Sequence, residues 1–356
     1  MNILFIFLND NTNGGALSIM RQVAEFYLSH HSRVHIVLLK KRQYHHWDEL
    51  EGTNLKIYDG GSFLTLIDIF RRIHKIQFDY SYSSAVKFTG IIGILKRLGV
   101  LRIKTMVARE STNIFNRFNG LKILKYKMYY RLGYKAVNVL ICQTGFMKEQ
   151  LLKHQPWIEK YAKVLVIPNP VNIQKMNEKA EEPLDVTTYS PYIVTAGRFI
   201  PEKAYDILLD AYADVIRNHP ELKLVILGDG ALRPQIEEQI AKLNLRERVI
   251  LIGQVDNVYP WFKKASLCVV SSRMEGFPNV LLQMMSQNDK VVSTLCAGDI
   301  DKIEGLTTCP VEEPTALAKA MIECMESKAG NKREIFDEEL QNRSIDNFIK
   351  KIEINN

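Results

Sequence analysis

The 356-residue sequence lacks the features of several simple protein classes. Its five cysteines, at positions 142, 268, 296, 309 and 324, are odd in number and form no CxxC pair, which predicts reduced thiols in a cytosolic protein rather than a disulfide framework. No run of 18 apolar residues is present, so we expect no membrane span. The opening MNILFIFLNDN is apolar for only seven residues and has no basic lead, which favours a buried strand over a signal peptide.

Fingerprints of two further classes are also missing. The GxGxxG pattern of dinucleotide-binding folds does not occur after the first strand, and the second strand, IVLLKKR, ends without an acid, so a nucleotide-dependent dehydrogenase is disfavoured. His30, His31, His45 and His46 lie near a predicted surface loop and do not have the spacing of metal ligands. No repeat and no low-complexity tract is found.

The net charge of +7 is unevenly distributed. Residues 1–172 hold 25 Lys and Arg against 11 Asp and Glu, a balance of +14, whereas the remainder holds 22 against 29, a balance of −7. Residues 87–135 contain twelve basic residues and one acid, Glu110. Such a segment predicts a face that meets a polyanion. An anionic membrane is preferred over nucleic acid because no nucleic-acid-binding module is present; ordinary amphipathic packing with solvated lysines is the alternative.

Short apolar runs alternate with helical patterns in two series, which predicts two doubly wound α/β domains with parallel sheets. The polar, proline-containing stretch 167–191 predicts a linker between them. We therefore expect one Rossmann-like domain over 1–170 plus a C-terminal helix within 340–356, and a second over 171–339, with ligands bound in a cleft between the carboxyl edges of the two sheets. The predicted strands are 2–8, 34–39, 79–82, 104–108, 137–142, 164–167, 192–196, 222–227, 248–252, 266–270 and 290–293. The predicted helices include 15–29, 63–76, 118–133 and 144–154 in the first series, and are 203–218, 231–243, 257–264, 279–286, 313–327 and 342–353 in the second series and at the C-terminal end.

Two glycine turns follow strands at these predicted ligand edges. In NTNGGALSIM, Gly14 and Gly15 open a helix whose free N–H groups suit an anion, or form a plain strand–helix turn. In TAGRFIPEKAYDILLDAY, Gly197 and Arg198 precede Lys203, and a guanidinium fork with an ammonium group suits phosphate oxygens. The alternatives are an Arg198–Glu202 ion pair and a solvated Lys203.

Three more loops follow strands of the second series. ILGDG and LIGQVDNV contain glycines that let a flat ring approach the backbone, although close packing explains them nearly as well. In RMEGFPNVLLQMMS, Glu275 precedes a glycine and is predicted to point into the cleft, and Pro278 suits the first turn of a helix.

These motifs, in this order and spacing, resemble retaining glycosyltransferase family 4, of bacterial surface-polysaccharide type with the GT-B fold. The resemblance runs over almost the whole chain, is strongest from 190 to 300 and is weak between 40 and 140. It implies that Gly15 offers its amide to the distal phosphate of a nucleotide diphosphate sugar. It implies that Arg198 and Lys203 hold the diphosphate and neutralise charge on the leaving group.

The resemblance also implies contacts to the base and to the sugar. Val255, in the loop after Gly253, frames the base. Glu275 accepts hydrogen bonds from sugar hydroxyls. The sugar and the phosphate are lined by the segment around the proline, through Gly276 and the amides of Phe277, Asn279 and Val280. No DxD pattern is evident, and two cations can replace a metal, so we expect metal independence and no cofactor.

The chain departs from the family pattern at two positions. The second Glu of the Glu-x7-Glu pattern, which accepts both ribose hydroxyls, is Gln283 here. An amide accepts one hydrogen bond and donates others, so we interpret the change as tolerated donor binding; the alternative is a decayed ribose site. Glu110 stands where many relatives place a His, and either orients or polarises an acceptor hydroxyl or neutralises Arg109 or a lysine.

The resemblance thus implies a cytoplasmic retaining hexosyltransferase, and the basic first half of the chain places it at the inner face of the plasma membrane as a peripheral protein. It is expected to move a sugar from a nucleotide diphosphate, UDP-linked in preference to GDP-linked, to a hydroxyl of a glycan or polyprenyl-linked glycan. Front-face retention needs no protein nucleophile, because the leaving phosphate takes the acceptor proton. A GT-B nucleotide-sugar epimerase and a non-catalytic sugar-nucleotide-binding subunit are the alternatives.

Overall fold

The computed structural model describes residues 1–11, 15–50, 52, 54–112, 114–327 and 330–355. Of the predicted site residues, Gly14 lies outside the described part. The chain divides into two units. Unit 1 comprises Met1–Pro170 and Ile345–Asn356, and unit 2 comprises Val171–Ser344.

Strands and helices alternate in both units. The strands are β1 Asn2–Phe7, β2 Arg33–Leu38, β3 Leu55–Asp59, β4 Gln77–Ser84, β5 Arg102–Arg109, β6 Val139–Cys142, β7 Lys163–Val166, β8 Tyr192–Ala196, β9 Lys223–Leu227, β10 Val249–Gly253, β11 Leu267–Val270, β12 Val291–Thr294 and β13 Thr307–Cys309. The helices are α1 Gly15–Ser29, α2 Phe63–Ile73, α3 Val86–Arg97, α4 Ile114–Arg117, α5 Gly120–Gly133, α6 Gly145–His154, α7 Ile173–Ala180, α8 Tyr205–Asn218, α9 Arg233–Lys242, α10 Tyr259–Lys264, α11 Asn279–Met285, α12 Pro314–Glu326, α13 Lys332–Asn342 and α14 Ile345–Ile354.

Each unit contains one sheet in which every paired strand is parallel. The order is β3-β2-β1-β4-β5-β6-β7 in unit 1 and β10-β9-β8-β11-β12-β13 in unit 2. The strand order reverses between β1 and β4, where Ile3 pairs with Tyr80, and between β8 and β11, where Leu267 pairs with Ile193. At such a switch point the loops after the two central strands diverge to opposite faces and leave a crevice at the carboxyl edge.

Burial explains why the strands read as continuous apolar runs. In β1, five of six residues are buried, and all of β6 and β11 is buried, as expected for strands covered by helices on both faces. Helix α14 closes unit 1: its buried residues Phe348, Ile349 and Ile352 join the apolar cluster that also holds Ile19 and Val23 of α1. The amphipathic helix predicted over 342–353 is thereby confirmed, although it begins at Ile345 and residues 340–344 belong to unit 2.

Part of the predicted linker is wrong. Within 167–191 the structure contains α7, whose N-cap residue Asn172 accepts a hydrogen bond from the Lys175 amide at 2.9 Å. The helix buries only Met176 and Ala180, so the sequence shows too few regularly spaced apolar residues to indicate a helix among the prolines. Helices α3, α4 and α13 and strands β3 and β13 are also additions to the predicted elements.

Two expectations from the composition, on the cysteines and on membrane-spanning segments, can be compared with the structure. All five cysteines are free and buried. Across the described residues, no helix is both long and apolar enough to cross a membrane.

Candidate functional site

Two loops meet at the switch point of unit 2. The first follows β8 and passes through Gly197, Arg198 and a single turn of 3-10 helix, Pro201–Lys203, before α8 begins. The second follows β11 and contains Glu275. Lys203 was predicted to start α8 but lies in the turn before it, because Ala204 has a left-handed backbone with φ of 52°. This conformation costs a non-glycine residue about 1 kcal/mol and re-aims the chain between Lys203 and α8.

The two loops are joined by an ion pair. The Nζ atom of Lys203 lies 2.7 Å from Oε1 of Glu275, and the two side chains are only 18% and 21% exposed. Ser272 donates its hydroxyl to the same carboxylate oxygen at 3.1 Å, and Ser271 donates to the carbonyl oxygen of Lys203 at 2.9 Å. A cation and an anion are therefore held at fixed positions on the carboxyl edge of the sheet.

Arg198 differs from Lys203 in that its side chain is exposed. Within the described part of the chain its guanidinium group makes no hydrogen bond and no ion pair, so the alternative Arg198–Glu202 pair is not formed. The next residue, Phe199, is fully buried and donates its amide to the carbonyl oxygen of Asp229 at 2.9 Å. This anchor fixes the backbone of the loop while the adjacent guanidinium group stays free to meet a ligand.

Glycines allow the three neighbouring loops to pack closely. A Cβ atom on Gly228 would stand 2.0 Å from the carbonyl oxygen of Gly197, and one on Gly230 would stand 2.7 Å from the carbonyl oxygen of Phe199. The side chain of Lys203 passes over Gly197, where an added Cβ would lie 3.0 Å from Cε of the lysine. The glycines of the GDG loop thus serve backbone packing, which was the alternative to close approach by a ring.

An arginine anchors the second loop from the outside. Arg273 donates from Nη1 to the carbonyl oxygen of Pro201 at 2.7 Å and pairs with Asp206 and Glu312. The Arg273 amide also donates to the carbonyl oxygen of Glu202 at 2.8 Å. The loops carrying Lys203 and Glu275 are consequently held together on two sides, which preorganises the ion pair.

A small indentation marks this place. It encloses about 190 Å³ of space open to solvent and is lined by Thr195, Ala196, Lys203, Tyr205, Val270, Ser271, Ser272 and Val280. Because this space is largely open to solvent, the indentation is much smaller than an enclosed ligand pocket, and unit 2 by itself does not enclose a whole ligand here.

The segment after Glu275 enters α11. Gly276, Asn279 and Val280 are half-buried, and Val280 reaches the indentation. Phe277 is 6% exposed, and the guanidinium carbon of Arg343 lies 4.9 Å from its ring centroid, so this side chain is a core anchor. Pro278 is the residue before the helix rather than its first turn, and Leu281 donates to its carbonyl oxygen at 3.0 Å.

Gln283 lies one helical turn further on, and its side chain is half-buried rather than fully on the inner face. Its Nε2 donates to the hydroxyl of Tyr259 at 3.2 Å. Burial raises the pKa of Tyr259, so that hydroxyl keeps its proton and has it available for a further partner. Tyr259 begins α10, directly after the loop that contains the half-buried Val255. The amide therefore uses one donor internally.

In unit 1, Gly15 lies at the corresponding switch point, directly after the undescribed residues 12–14. Gly15 is exposed and is the first residue of α1, which follows β1. Its carbonyl oxygen accepts a hydrogen bond from the Ser18 hydroxyl at 3.0 Å. The position agrees with a helix opening at the carboxyl edge, while its contact with a phosphate stays a prediction.

Glu110 occupies a different environment from the one that an acceptor-binding carboxylate requires. Its side chain is 3% exposed, and its two oxygens accept hydrogen bonds from Tyr130 at 3.0 Å and Tyr134 at 2.8 Å. Burial raises its pKa to about 7, against the opposing effects of the two tyrosines and Arg109. The Glu110 carboxylate is therefore not accessible to a substrate hydroxyl in this structure, which favours a role in holding the two tyrosines inside unit 1.

Its neighbour Arg109 is also 3% exposed and belongs to a buried polar network at the ends of β4, β5 and β6. Its guanidinium group donates to Ser84 at 3.1 Å and to Asn169, and Asn169 donates to Gln143 at 2.8 Å. Gln143 in turn donates to the carbonyl oxygen of Glu110 at 2.8 Å. Hydrogen bonds, rather than a direct Arg109–Glu110 contact, therefore satisfy most of these buried groups.

Several site residues were missed by sequence reasoning. Tyr205, which donates its hydroxyl to the carbonyl oxygen of Gly197 at 2.8 Å, lies within the stretch TAGRFIPEKAYDILLDAY, and Ser272 directly precedes RMEGFPNVLLQMMS, but neither residue carries a spacing signal. Tyr259 lies 24 residues before Gln283, and only the folded sheet brings them together. For a metal, the described residues contain no group of three or more His, Cys, Asp or Glu that could hold an ion.

Unit 2 is thus a doubly wound Rossmann-like domain with two cations and a carboxylate at its switch point, the place where such sheets bind ligands. Residues 190–327 match the family model described as glycosyl transferases group 1. The match covers β8 to β13 and all of α12, and so includes Arg198, Lys203, Glu275 and Gln283. Over these residues, unit 2 is similar to group 1 glycosyl transferases.

Curated relatives match about half of this chain. An uncharacterized glycosyltransferase of Methanocaldococcus jannaschii is 32% identical over 184 residues, which are 50% of this chain and 44% of that protein. The N-acetylgalactosamine-N,N'-diacetylbacillosaminyl-diphospho-undecaprenol 4-alpha-N-acetylgalactosaminyltransferase of Campylobacter jejuni is 31% identical over 179 residues, 50% of this chain and 46% of that protein. The matched segment thus spans about half the length of these relatives.

Solved structures resemble the whole chain. Anabaena HepE in complex with UDP and glucose has a TM-score of 0.80 at 18% identity and covers 99% of this chain and 98% of its own. Sucrose-phosphate synthase of Thermosynechococcus elongatus has a TM-score of 0.73 at 17% identity and covers 99% and 97%. The predicted fold class is confirmed: two Rossmann-like parallel-sheet units of the GT-B type.

Proposed function

We propose that the chain is a retaining family 4 glycosyltransferase that transfers a hexosyl group from a nucleotide diphosphate sugar to a hydroxyl of a glycan or lipid-linked glycan in surface-polysaccharide assembly. The observation that carries the proposal is the Lys203–Glu275 pair at 2.7 Å, on the switch-point edge of the unit that matches group 1 glycosyl transferases. The Campylobacter relative is named for an undecaprenol-linked acceptor, which supports a polyprenyl-linked acceptor here.

In this proposal, Arg198 and Lys203 bind the diphosphate. An ammonium group has three donors, so Lys203 can keep Glu275 as one partner and give a second hydrogen bond to a phosphate oxygen. The exposed Arg198 guanidinium adds a forked donor from the same loop. Both cations stabilise the charge that develops on the leaving diphosphate, which is usually the largest single catalytic effect.

The remaining donor contacts follow the same edge. Glu275 accepts hydrogen bonds from sugar hydroxyls, and Gln283 and Val255 face the ribose and the base. Gly15 of unit 1 contributes an amide to the distal phosphate. With the leaving phosphate taking the acceptor proton, retention needs no protein nucleophile. We propose a UDP-linked donor because HepE is named in complexes with UDP, UDP with glucose, and UDP-glucose.

Metal independence and location complete the proposal. Two cationic side chains supply the charge neutralisation that a divalent ion supplies elsewhere, so transfer should be insensitive to chelators. The enzyme is proposed to act in the cytoplasm at the inner face of the plasma membrane, with unit 1 binding the acceptor and unit 2 binding the donor.

Substitution of the cations tests the proposal. Arg198→Ala and Lys203→Ala should each lower transfer roughly 100- to 1,000-fold, because each removes a charge aimed at the leaving group. The substrates are a panel of UDP- and GDP-sugars with a polyprenyl-diphosphate sugar acceptor, and the readout is glycosylated lipid, with and without EDTA. Near-normal rates in both variants would refute the phosphate role.

Controls separate this role from loss of fold. Arg217→Ala and Lys242→Ala remove exposed cations at the ends of α8 and α9, away from the carboxyl edge, and should leave transfer unchanged. Circular dichroism should show each variant folded. Sugar-nucleotide product formed without acceptor would identify an epimerase instead, and donor binding without transfer or slow hydrolysis would identify a non-catalytic subunit.

A further inference from the structure

Helix α5 exposes an apolar stripe along its outer face. Leu121, Leu124, Met128 and Leu132 are 80%, 61%, 50% and 43% exposed. They recur every three or four residues and therefore lie on one side of the helix. Scattered exposed apolar residues are ordinary, but four on a single helical face form a continuous surface.

This stripe is not the packing face of the helix. The opposite side of α5 carries the buried Tyr130 and Gly133. There the backbone of α3 comes so close that a Cβ atom on Gly93 would stand 2.1 Å from the carbonyl oxygen of Gly133. Arg97 of α3 also donates to the carbonyl oxygen of Leu132 at 2.8 Å. The helix is thus fixed rigidly to unit 1 with its leucines facing outward.

Basic side chains flank the stripe on both sides. Lys122, Lys125, Lys127, Arg131 and Lys135 are all exposed. Glu110, the single acid among residues 87–135, is only 3% exposed, and its carboxylate accepts hydrogen bonds from two tyrosine hydroxyls. No acidic side chain of this segment therefore offsets the positive surface.

Charge decides which occupant covers the stripe. A second copy of the chain would bring the same cations together from both sides, and their repulsion opposes self-association. An occupant with an apolar interior and an anionic surface complements both the apolar stripe and its basic flanks. That is the chemistry of a bilayer rich in anionic phospholipid headgroups, on which basic amphipathic helices lie in the interface plane.

We propose that the outer face of α5, with Leu121, Leu124, Met128 and Leu132 as its apolar stripe, docks the chain on an anionic lipid bilayer. The leucines and the methionine enter the boundary between headgroups and acyl chains, and the lysines and Arg131 bind the headgroup phosphates. The inference stands on the exposure and charge of α5 and does not depend on the sugar-transfer activity.

Vesicle co-sedimentation of the full chain tests the proposal. The parent protein should bind vesicles of phosphatidylglycerol and phosphatidylcholine at low salt, and binding should weaken steeply as salt rises. The triple variant L121Q/L124Q/M128Q should bind at least about tenfold more weakly, because three inserted side chains are lost. The variant K122Q/K125Q/R131Q should lose about fivefold per charge on anionic vesicles.

Matched variants test whether the loss of any exposed apolar or basic side chains, wherever they lie, weakens vesicle binding. F63Q/L64Q removes an apolar pair on α2 that is 78% and 76% exposed, and should bind like the parent. K242Q/K302Q/K319Q removes three lysines of unit 2 whose side chains are 72%, 70% and 77% exposed, and should also bind like the parent.

Three outcomes would overturn the proposal. They are no binding to anionic vesicles at low salt, equal binding to purely phosphatidylcholine vesicles, and unchanged binding of both α5 variants. A concentration-dependent dimer of the parent that L121Q/L124Q/M128Q abolishes would assign the stripe to a second copy instead. Unfolding midpoints of the variants should equal that of the parent, since all the substituted side chains are exposed.

Discussion

At the residue scale, the substitution of a carboxylate by an amide at position 283 has a partner that the sequence does not reveal. Gln283 donates to the Tyr259 hydroxyl at 3.2 Å, which leaves its carbonyl oxygen as the acceptor for a ligand. The half-buried Tyr259 hydroxyl itself keeps a proton, because desolvation raises its pKa. The pair thus offers one acceptor and one donor where a carboxylate offers acceptors alone.

We expect Gln283→Glu to bind UDP as tightly as the parent protein or up to about tenfold more tightly. A carboxylate accepts hydrogen bonds from both ribose hydroxyls, and Tyr259 can reverse its bond and donate to it. Isothermal titration calorimetry measures the affinity. Gln287→Glu, which changes the neighbouring glutamine bonded to Asn177 at 3.0 Å, should have no effect. A collapse of affinity in Gln283→Glu would mean that the amide N–H is used by the ligand.

The buried Glu110 gives a pH-dependent stability. Its pKa in the folded protein is about 7, above that of an exposed glutamate, because burial disfavours the carboxylate. Below pH 4.5 the residue is protonated whether the chain is folded or unfolded. As pH rises towards 7, the unfolded chain loses this proton first, so the stability contributed by Glu110 falls and then levels off.

Urea unfolding of the parent and of Glu110→Gln should therefore differ with pH. The free energy of unfolding of the parent should fall by up to about 3 kcal/mol, relative to the variant, between pH 4.5 and pH 7.5. The shape of this difference is the test, because its offset also contains the altered bonds to Tyr130 and Tyr134. A difference that is flat across this range would show that burial does not raise the pKa of Glu110 above its value in the unfolded chain.

At the element scale, the contact of α3 with α5 depends on glycines. A Cβ atom on Gly93 would meet the carbonyl oxygen of Gly133 at 2.1 Å, and one on Gly133 would meet that of Gly90 at 2.2 Å. Such distances are closer than any real Cβ contact, and the obstructing atoms are backbone. The glycines lower the helix propensity of α3 by about 1 kcal/mol each but permit this close approach.

Gly93→Ala should destabilise the protein by about 2 kcal/mol. The gain in helix propensity, about 1 kcal/mol, is smaller than the cost of separating two helices whose partner atoms are backbone. The measurement is the urea midpoint at fixed pH. Gly52→Ala is the control, because a Cβ there has nothing within 4 Å, and it should change stability by less than about 0.5 kcal/mol. A neutral or stabilising Gly93→Ala would mean that α3 and α5 can move apart freely.

The same glycines show where sequence reasoning reaches its limit at this scale. Long apolar runs such as β1 and amphipathic helices such as α1 and α14 were predicted because burial on one or two faces leaves a period in the sequence. Helix α3 was missed because small residues replace the large apolar ones at its packing face. Helix α13 buries only Phe336 and Leu340, and β13 has three residues, so neither leaves a readable pattern.

At the scale of the whole molecule, the repetition of one topology explains why the candidate site could be predicted in part. Both sheets are parallel and both reverse strand order beside their first strand, so the loops after β1 and β8 fall at equivalent edges. Motif order along the chain therefore locates Gly15, Arg198, Lys203 and Glu275 at those edges. The partners Ser272, Tyr205 and Tyr259 depend on side-chain directions within the folded edge and have no such signal.

The placement at the edge of unit 2 makes a prediction for the intact chain. UDP at 100 times its dissociation constant should raise the free energy of unfolding of the unit that binds it by about 2.7 kcal/mol. Hydrogen–deuterium exchange should slow in the loops 197–204 and 271–283, which hold the Lys203–Glu275 pair, and in the turn at 253–259. The amides of α9, at the side of the sheet, should be unaffected apart from any global stabilisation of unit 2, because exchange through local opening depends on local contacts. Protection confined to unit 1, or absent from 197–204 under saturating UDP, would remove the diphosphate from this edge and with it the assignment of Arg198 and Lys203.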